Sequence, residues 1–328
     1  MIRVHFTYKH VDQPWGGANS FIRALHADLL DSGRFGLTDH LDDPCDVLFM
    51  NQLSTGPGGG GGGLMRVADA RRLQAAGRRL AVRAVNLNWH VSGLGLRNLT
   101  HGWWRDRQTV ALLNAADMAI FQSDYQRQFF RRAGYRGRHS VIIHNGAART
   151  FWAERLPNQP LNGPLRVISS TASPRPSKRH DLIARLAACD GVESWHLGVW
   201  PAGLPSGKVR FFGVQSREAM LQAMAQCHYF LHPAVKDPCP NAVFEAVCAG
   251  LPVIYNAGPG SSVEIVGNCG FALEEGNLAQ TVAQARELLD ILRQTVQQER
   301  DRFSITHAAT RYRAAFEQLA TPGTCLPA

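Results

Sequence analysis

Along the chain, short apolar runs alternate with stretches in which apolar residues recur every three or four positions, the pattern of parallel strands joined by helices. In the first part, Ile2–Tyr8, Asp46–Met50, Arg79–Val85, Met118–Gln122 and Ser140–His144 predict five strands, enough for one doubly wound sheet. The helix after Ser123 opens S-D-Y-Q. Ser123 can accept from the amide three residues on while Gln126 reaches back, which is a capping box. Residues 145–164, NGAARTFWAERLPNQPLNGP, are rich in Asn, Gly and Pro without periodicity, so they read as a linker with soft dihedrals for a hinge at Asn145–Gly146. A second alternation follows. Strands are expected at Leu165–Ser170, Ser194–Val199, Lys208–Phe212, Tyr229–His232 and Pro252–Tyr255, with helices over Lys178–Ala188, Arg217–Gln226 and from near Asn241. Residues 278–301 and 303–320 are helical by the same pattern, which does not say where they pack. The fold class is α/β, with two tandem Rossmann-like doubly wound domains.

A length of 328 residues agrees with two domains of roughly 150 residues each. The expected boundaries are 1–147 and 148–302, with a C-terminal helix in 303–328 able to complete the first domain. No run of about 18 apolar residues exists, and MIRVHFTY has neither a basic n-region nor a cleavage site, so a cytoplasmic protein is expected. Seven scattered cysteines without a C-x-x-C pair suggest neither a disulfide framework nor a zinc site. The net charge of +9 is uneven: residues 1–147 hold 18 Lys and Arg against 11 acids, residues 148–302 hold 15 against 14. Seven arginines (71, 72, 78, 79, 83, 97, 105) and no acid lie between Asp69 and Asp106. Such a field attracts anions or an anionic membrane face. Genomic arginine bias is the competing account, since only four of the 35 cations are lysine.

Two glycine signals differ in weight. Gly58, Gly60 and Gly63 satisfy G-x-G-x-x-G inside a polyglycine run, where the match is trivial. No acid for a ribose diol follows from 70 to 105, which argues against NAD, and Arg83 leaves only an NADP variant. Gly16 and Gly17, between the first strand and an amphipathic helix, form a side-chain-free turn at which a phosphate can approach exposed amides. Taken in isolation, a tight turn that needs glycine is the stronger account of them.

The stretch HPAVKDPCPNAVFEAVCAGLPVIYNAGPGSSVEIVG, residues 232–267, carries the chemistry. A strand ends near His232, a proline-punctuated loop carries Asp237, and a helix runs from Pro240–Asn241 to Gly250. Side chains lean toward a helix N-terminus, so Glu245 can reach back toward Asp237 and the amides near Asn241 and Ala242. Two carboxylates at a sheet edge can hold the hydroxyls of a sugar or ribose.

This stretch resembles the family-4 retaining glycosyltransferases of the glycosyltransferase B fold, whose signature is E-x7-E before a small-residue helix, Gly, Leu, Pro and an apolar strand. Here Asp237 stands for the first acid and Glu245 is the second. Gly16-Gly17-Ala18-Asn19, Asn145-Gly146 and Glu264 resemble further motifs of the family in the same order. The resemblance implies two domains facing each other across a cleft: an N-terminal acceptor domain and a C-terminal nucleotide-sugar donor domain.

It further implies that Glu245 binds the ribose and Asp237 the sugar hydroxyls near the reacting carbon. Lys178 in SPRPSKR would neutralise the leaving diphosphate. The family's usual arginine five residues before it is Ser173 here, so Arg175 or Arg179 would supply a second positive charge. Gly16, Gly17, Asn241 and Ala242 would complete donor binding. His90 lies where the family often places a histidine beside the donor sugar, whereas His144 and His232 read as structural. No D-x-D triplet occurs, so no metal or other cofactor is expected.

The implied function is transfer of a sugar from a UDP- or GDP-sugar to an acceptor hydroxyl with retention, in bacterial glycan, lipopolysaccharide or other glycoconjugate synthesis. Expected partners are the donor, a glycan or lipid-linked acceptor and an anionic inner-membrane face, but no nucleic acid. A sugar-nucleotide epimerase or a basic module binding anionic glycan or nucleic acid are the alternatives. Trp15, Trp89, Trp103 and Trp104 are candidate sugar platforms.

Overall fold

The computed structural model describes residues 1–8, 17–51, 65–85, 87, 103–154 and 156–321. They fall into two units, Met1–His144 with Ala308–Ala328, and Asn145–His307. In the first unit, strands β1 (Ile2–Phe6), β2 (Phe35–Thr38), β3 (Val47–Met50), β4 (Arg79–Arg83), β5 (Met118–Phe121) and β6 (Ser140–Ile142) form one sheet in the order β2-β1-β3-β4-β5-β6. Every pairing is parallel. Helices α1 (Gly17–Asp31), α2 (Val67–Ala75), α3 (Trp103–Ala115) and α4 (Asp124–Arg132) connect the strands. All four residues of β3 and of β5 are buried. A parallel strand covered on both faces reads as a continuous apolar run, which is why these were legible.

The second unit repeats the plan. Strands β7 (Leu165–Thr171), β8 (Val192–Gly198), β9 (Arg210–Gly213), β10 (Tyr229–His232), β11 (Val253–Tyr255) and β12 (Gly270–Ala272) run in the order β12-β11-β10-β7-β8-β9. All of them are parallel. Its helices are α5 (His180–Ala187), α6 (Arg217–Met224), α7 (Asn241–Cys248), α8 (Ser262–Val266) and α9 (Leu278–Glu299). Leu278, Val282, Ala285, Leu289 and Leu292 of α9 pack on this second core.

The last helix, α10 (Ile305–Ala320), returns to the first unit. Tyr312 lies 5.6 Å from Phe21, Phe316 lies 5.4 Å from Phe49, and Arg313 pairs with the buried Asp28 at 2.5 Å. The capping box forms in a shifted version. Ser123 Oγ accepts from the Gln126 amide at 3.1 Å, and Gln126 Oε1 accepts from the amide of Gln122 instead of Ser123.

The stretch 145–164 is not a loose linker. Phe151 is buried in the second core, Ala147 N donates to Phe303 O at 2.8 Å, and Ile305 N donates to Ala147 O at 2.9 Å. A Cβ on Gly146 would stand 2.4 Å from Ser304 O and 2.6 Å from Ile305 Cα. Glycine is therefore needed for close backbone approach, not for a hinge. Gly146→Ala is expected to lower stability by about 1–3 kcal/mol through overpacking, read as a lower thermal midpoint; an unchanged midpoint would refute the packing role.

Candidate functional site

In the second sheet, β8 and β9 lie on one side of β7 and β10 lies on the other. Chains leaving β7 and β10 therefore diverge at the carboxyl edge, where open α/β sheets bind ligands. The chain after β7 passes through a 3₁₀ turn, Pro176–Lys178, and then Arg179 at φ 53°. The chain after β10 passes through Lys236 at φ 58°. Among the described residues these are the two non-glycine residues with positive φ, and side-chain-bearing backbone of that kind concentrates at functional sites. Val235 N donates to Ser177 O at 2.8 Å, joining the two loops. At that junction Lys178 Nζ lies 2.7 Å from Asp237 Oδ2, with the side chains 27% and 14% exposed, so each keeps a face for a ligand.

Asp237 is held from three sides. Its Oδ1 accepts from Cys239 N at 3.2 Å, and its carbonyl accepts from both the amide and the hydroxyl of Ser261 at 3.0 Å. Burial opposes its ionisation, but Lys178, His232 and the Cys239 amide together hold its carboxyl below the ordinary range. His232, at the end of β10, is pushed down to about 4 by burial, with Asp237 opposing and Lys178 adding to the shift. Its Nε2 is buried without a hydrogen-bond partner among the described residues. Sequence reasoning assigned His232 a structural role.

Helix α7 begins beside this pair. Val243, Phe244, Ala246, Val247 and Cys248 are buried, while Asn241, Ala242 and Glu245 form a partly exposed stripe. Asn241 and Glu245 share that face because they are four residues apart. Pro240 offers no side-chain cap and its carbonyl takes up the Val243 amide at 3.0 Å, so among the described residues the amides of Asn241 and Ala242 are the ones left for an anion. Asn145, buried, donates from Nδ2 to Asn241 Oδ1 at 2.6 Å and from its backbone to Cys239 Sγ at 3.4 Å. The Asn-Gly motif thus braces the start of α7, a role the sequence did not disclose.

Among the described residues the Glu245 carboxyl makes no hydrogen bond or ion pair, and burial pushes it up to about 7, with Arg217 pulling the other way. A raised carboxyl pKa means the fold prefers the protonated form. Its stabilisation is therefore present below the ordinary value of 4.5 and is lost as pH rises through about 7. Glu245→Gln, a mimic of the protonated group, is expected to raise stability above neutrality by about 2 kcal/mol and to change it little in acid. Equal effects at both pH values would contradict this.

The other expected cations separate. Arg179 is bound by Asp181 at 2.9 Å and by Glu275 at 2.5 Å, which raises its pKa and occupies its fork. Arg175 is exposed, and its guanidinium has no partner among the described residues. Gly17 opens α1 in the first unit. Gly16, His90, Trp15, Trp89 and the glycines at 58–63 lie outside the described residues. Glu264 sits in the first turn of the short helix α8. Among the described residues no group of three or more His, Cys, Asp or Glu is arranged to hold a metal, and no helix is long and apolar enough to cross a membrane.

The arrangement offers a cation, uncapped helix amides, a carboxylate held ionised and a second carboxylate awaiting partners. That combination suits a phosphorylated ligand bearing hydroxyls. Residues 186–291 match the family described as glycosyl transferases group 1. No curated protein sequence matches the chain. Among solved structures, sucrose-phosphate synthase from Thermosynechococcus elongatus is similar at TM-score 0.70 and 14% identity, covering 97% of this chain and 99% of that one. HepE from Anabaena in complex with UDP gives 0.69 and 18%, covering 97% and 100%. WaaG, a glycosyltransferase involved in lipopolysaccharide biosynthesis, gives 0.65 and 16%, covering 98% and 100%. Residues 186–291 thus carry a group 1 glycosyltransferase domain, on a fold that solved glycosyltransferases share.

Proposed function

We propose that this chain is a retaining glycosyltransferase of the family-4 type, moving a hexose-type sugar from a UDP- or GDP-sugar to an acceptor hydroxyl in glycan, lipopolysaccharide or other glycoconjugate synthesis. The observation that carries the reading is the Lys178–Asp237 pair at the switch point of the second sheet, with the partnerless Glu245 one turn into the adjoining helix. The second unit is the donor domain. Glu245 holds the ribose diol, the amides at Asn241 and Ala242 hold the diphosphate, and Lys178 with Arg175 neutralises charge that develops on the leaving group. Asp237 holds sugar hydroxyls near the reacting carbon. No metal is required, because the cations and the helix end take its place.

The first unit is the acceptor domain. Trp103 and Trp104 are 53% and 55% exposed at the start of α3, and Arg107 stacks on Trp103 at 4.8 Å. Exposed indoles beside arginine support peripheral contact with an anionic membrane carrying a lipid-linked acceptor.

The test is transfer from labelled UDP- and GDP-hexoses to a panel of glycan and lipid-linked acceptors in the presence of EDTA. Acceptor-dependent release of nucleotide, with the donor's anomeric configuration kept in the product, is expected. Donor turnover without acceptor would point to an epimerase. An inverted product would overturn retention, and abolition by EDTA would overturn the metal-free assignment.

A further inference from the structure

The first sheet has its own switch point, between β1 and β3, since β2 lies on one side of β1 and β3 to β6 lie on the other. Four buried polar residues follow the strands at this carboxyl edge: Thr7 after β1, Asn51 after β3, Arg83 closing β4 and Gln122 after β5. Arg83 donates to Asn51 Oδ1 at 2.5 Å and to Gln122 Oε1 at 2.7 Å, and its guanidinium stacks 4.6 Å from the centre of the Phe21 ring. Arginine has only donors, so these bonds fix which way both carboxamides face. The Gln122 Nε2 turned away from Arg83 donates to Ala84 O at 2.8 Å. Among the described residues the corresponding Asn51 Nδ2 has no acceptor, although Asn51 is fully buried.

A buried donor left unmade is costly, and native interiors pair such groups unless a ligand or ordered water completes them. Asn51 Nδ2 can only donate, and Arg83 adds positive charge beside it. We propose that this edge of the first unit is an oxyanion-binding site, in which Asn51 and Arg83 recognise a phosphate or carboxylate group carried by the second substrate. The ion site follows from the first unit alone. Only its assignment to the acceptor rests on the transfer reading.

The test uses the full chain, with thermal midpoints measured against inorganic phosphate and acetate at constant ionic strength, in the wild type, Asn51→Asp, Asn51→Ala and Lys178→Ala. A rise with phosphate alone marks a phosphate ester as the group recognised, and a rise with acetate marks a carboxylate. Asn51→Asp keeps the shape and the bond from Arg83 but replaces the donor by a negative charge. It is expected to weaken the anion response about tenfold or more while holding the anion-free midpoint. Asn51→Ala should weaken it a few-fold, and Lys178→Ala should leave it intact. Should Asn51→Asp fail to fold, Asn51→Ala decides. No response in the wild type, an unchanged response in both first-unit variants, or loss of the response in Lys178→Ala would overturn the site. An ordered water completing the donors gives the first of these results. UDP affinity is expected to be unchanged in Asn51→Asp, and an equal loss there would overturn the assignment to the acceptor without touching donor binding in the second unit.

Discussion

Lys178→Ala is expected to lower turnover by about two to three orders of magnitude while leaving the fold intact. Charge accumulates on the diphosphate as the glycosidic bond breaks, so a cation placed there is worth more in the transition state than in the bound donor. The side chain is partly exposed, and its partner Asp237 retains the Cys239 amide when the lysine is removed. The loss should therefore appear in kcat more than in nucleotide affinity. Single-turnover rates at saturating donor separate the two. A variant losing only affinity would place Lys178 on the ground-state nucleotide instead.

Asp237→Asn should depress turnover about 10- to 100-fold, with nucleotide affinity largely kept, because it removes a charge-assisted acceptor for sugar hydroxyls and leaves the ribose contact at Glu245. A pH signature distinguishes this from general damage. The native carboxyl of Asp237 lies below its ordinary value of 3.8, so the stabilisation it gives is present above that value and is lost as pH falls through the native pKa. The variant should thus be less stable than wild type at neutral pH and converge with it in strong acid. A stability difference that persists in acid, or equal losses of turnover and affinity, would contradict the assignment.

The central strands were legible because both faces are buried: β10, with all four residues buried, could only be an apolar run. The edge strands β2, FGLT, and β12, GFA, escaped notice because they are short, contain glycine and are only partly covered. Residues 145–164 looked like a linker for a similar reason. Their packing through Phe151 and Ala147 is irregular and has no period to detect. The destination of α10 depended on rings at Phe21 and Phe49, far earlier in the chain than Tyr312 and Phe316, as no local pattern could show.

At the site, the spacing of Asp237 and Glu245 and the cations of SPRPSKR were visible, but their partners were not. Arg175 and Arg179 are alike in sequence. Glu275, 96 residues beyond Arg179, occupies the latter and leaves the former as the available charge. The environment of Glu245 was equally hidden, because desolvation depends on which neighbours the fold places around it.

The central claim is that the carboxyl edge of the second sheet binds a nucleotide diphosphate through Glu245 and the start of α7. Calorimetric titration of UDP and GDP into the full chain and into Glu245→Ala tests it most directly. One of the two nucleotides should bind the wild type, and the variant should lose about 1.5–3 kcal/mol, roughly 10- to 150-fold in Kd. Wild-type affinity in Glu245→Ala, or no binding of either nucleotide to the intact chain, would contradict the account.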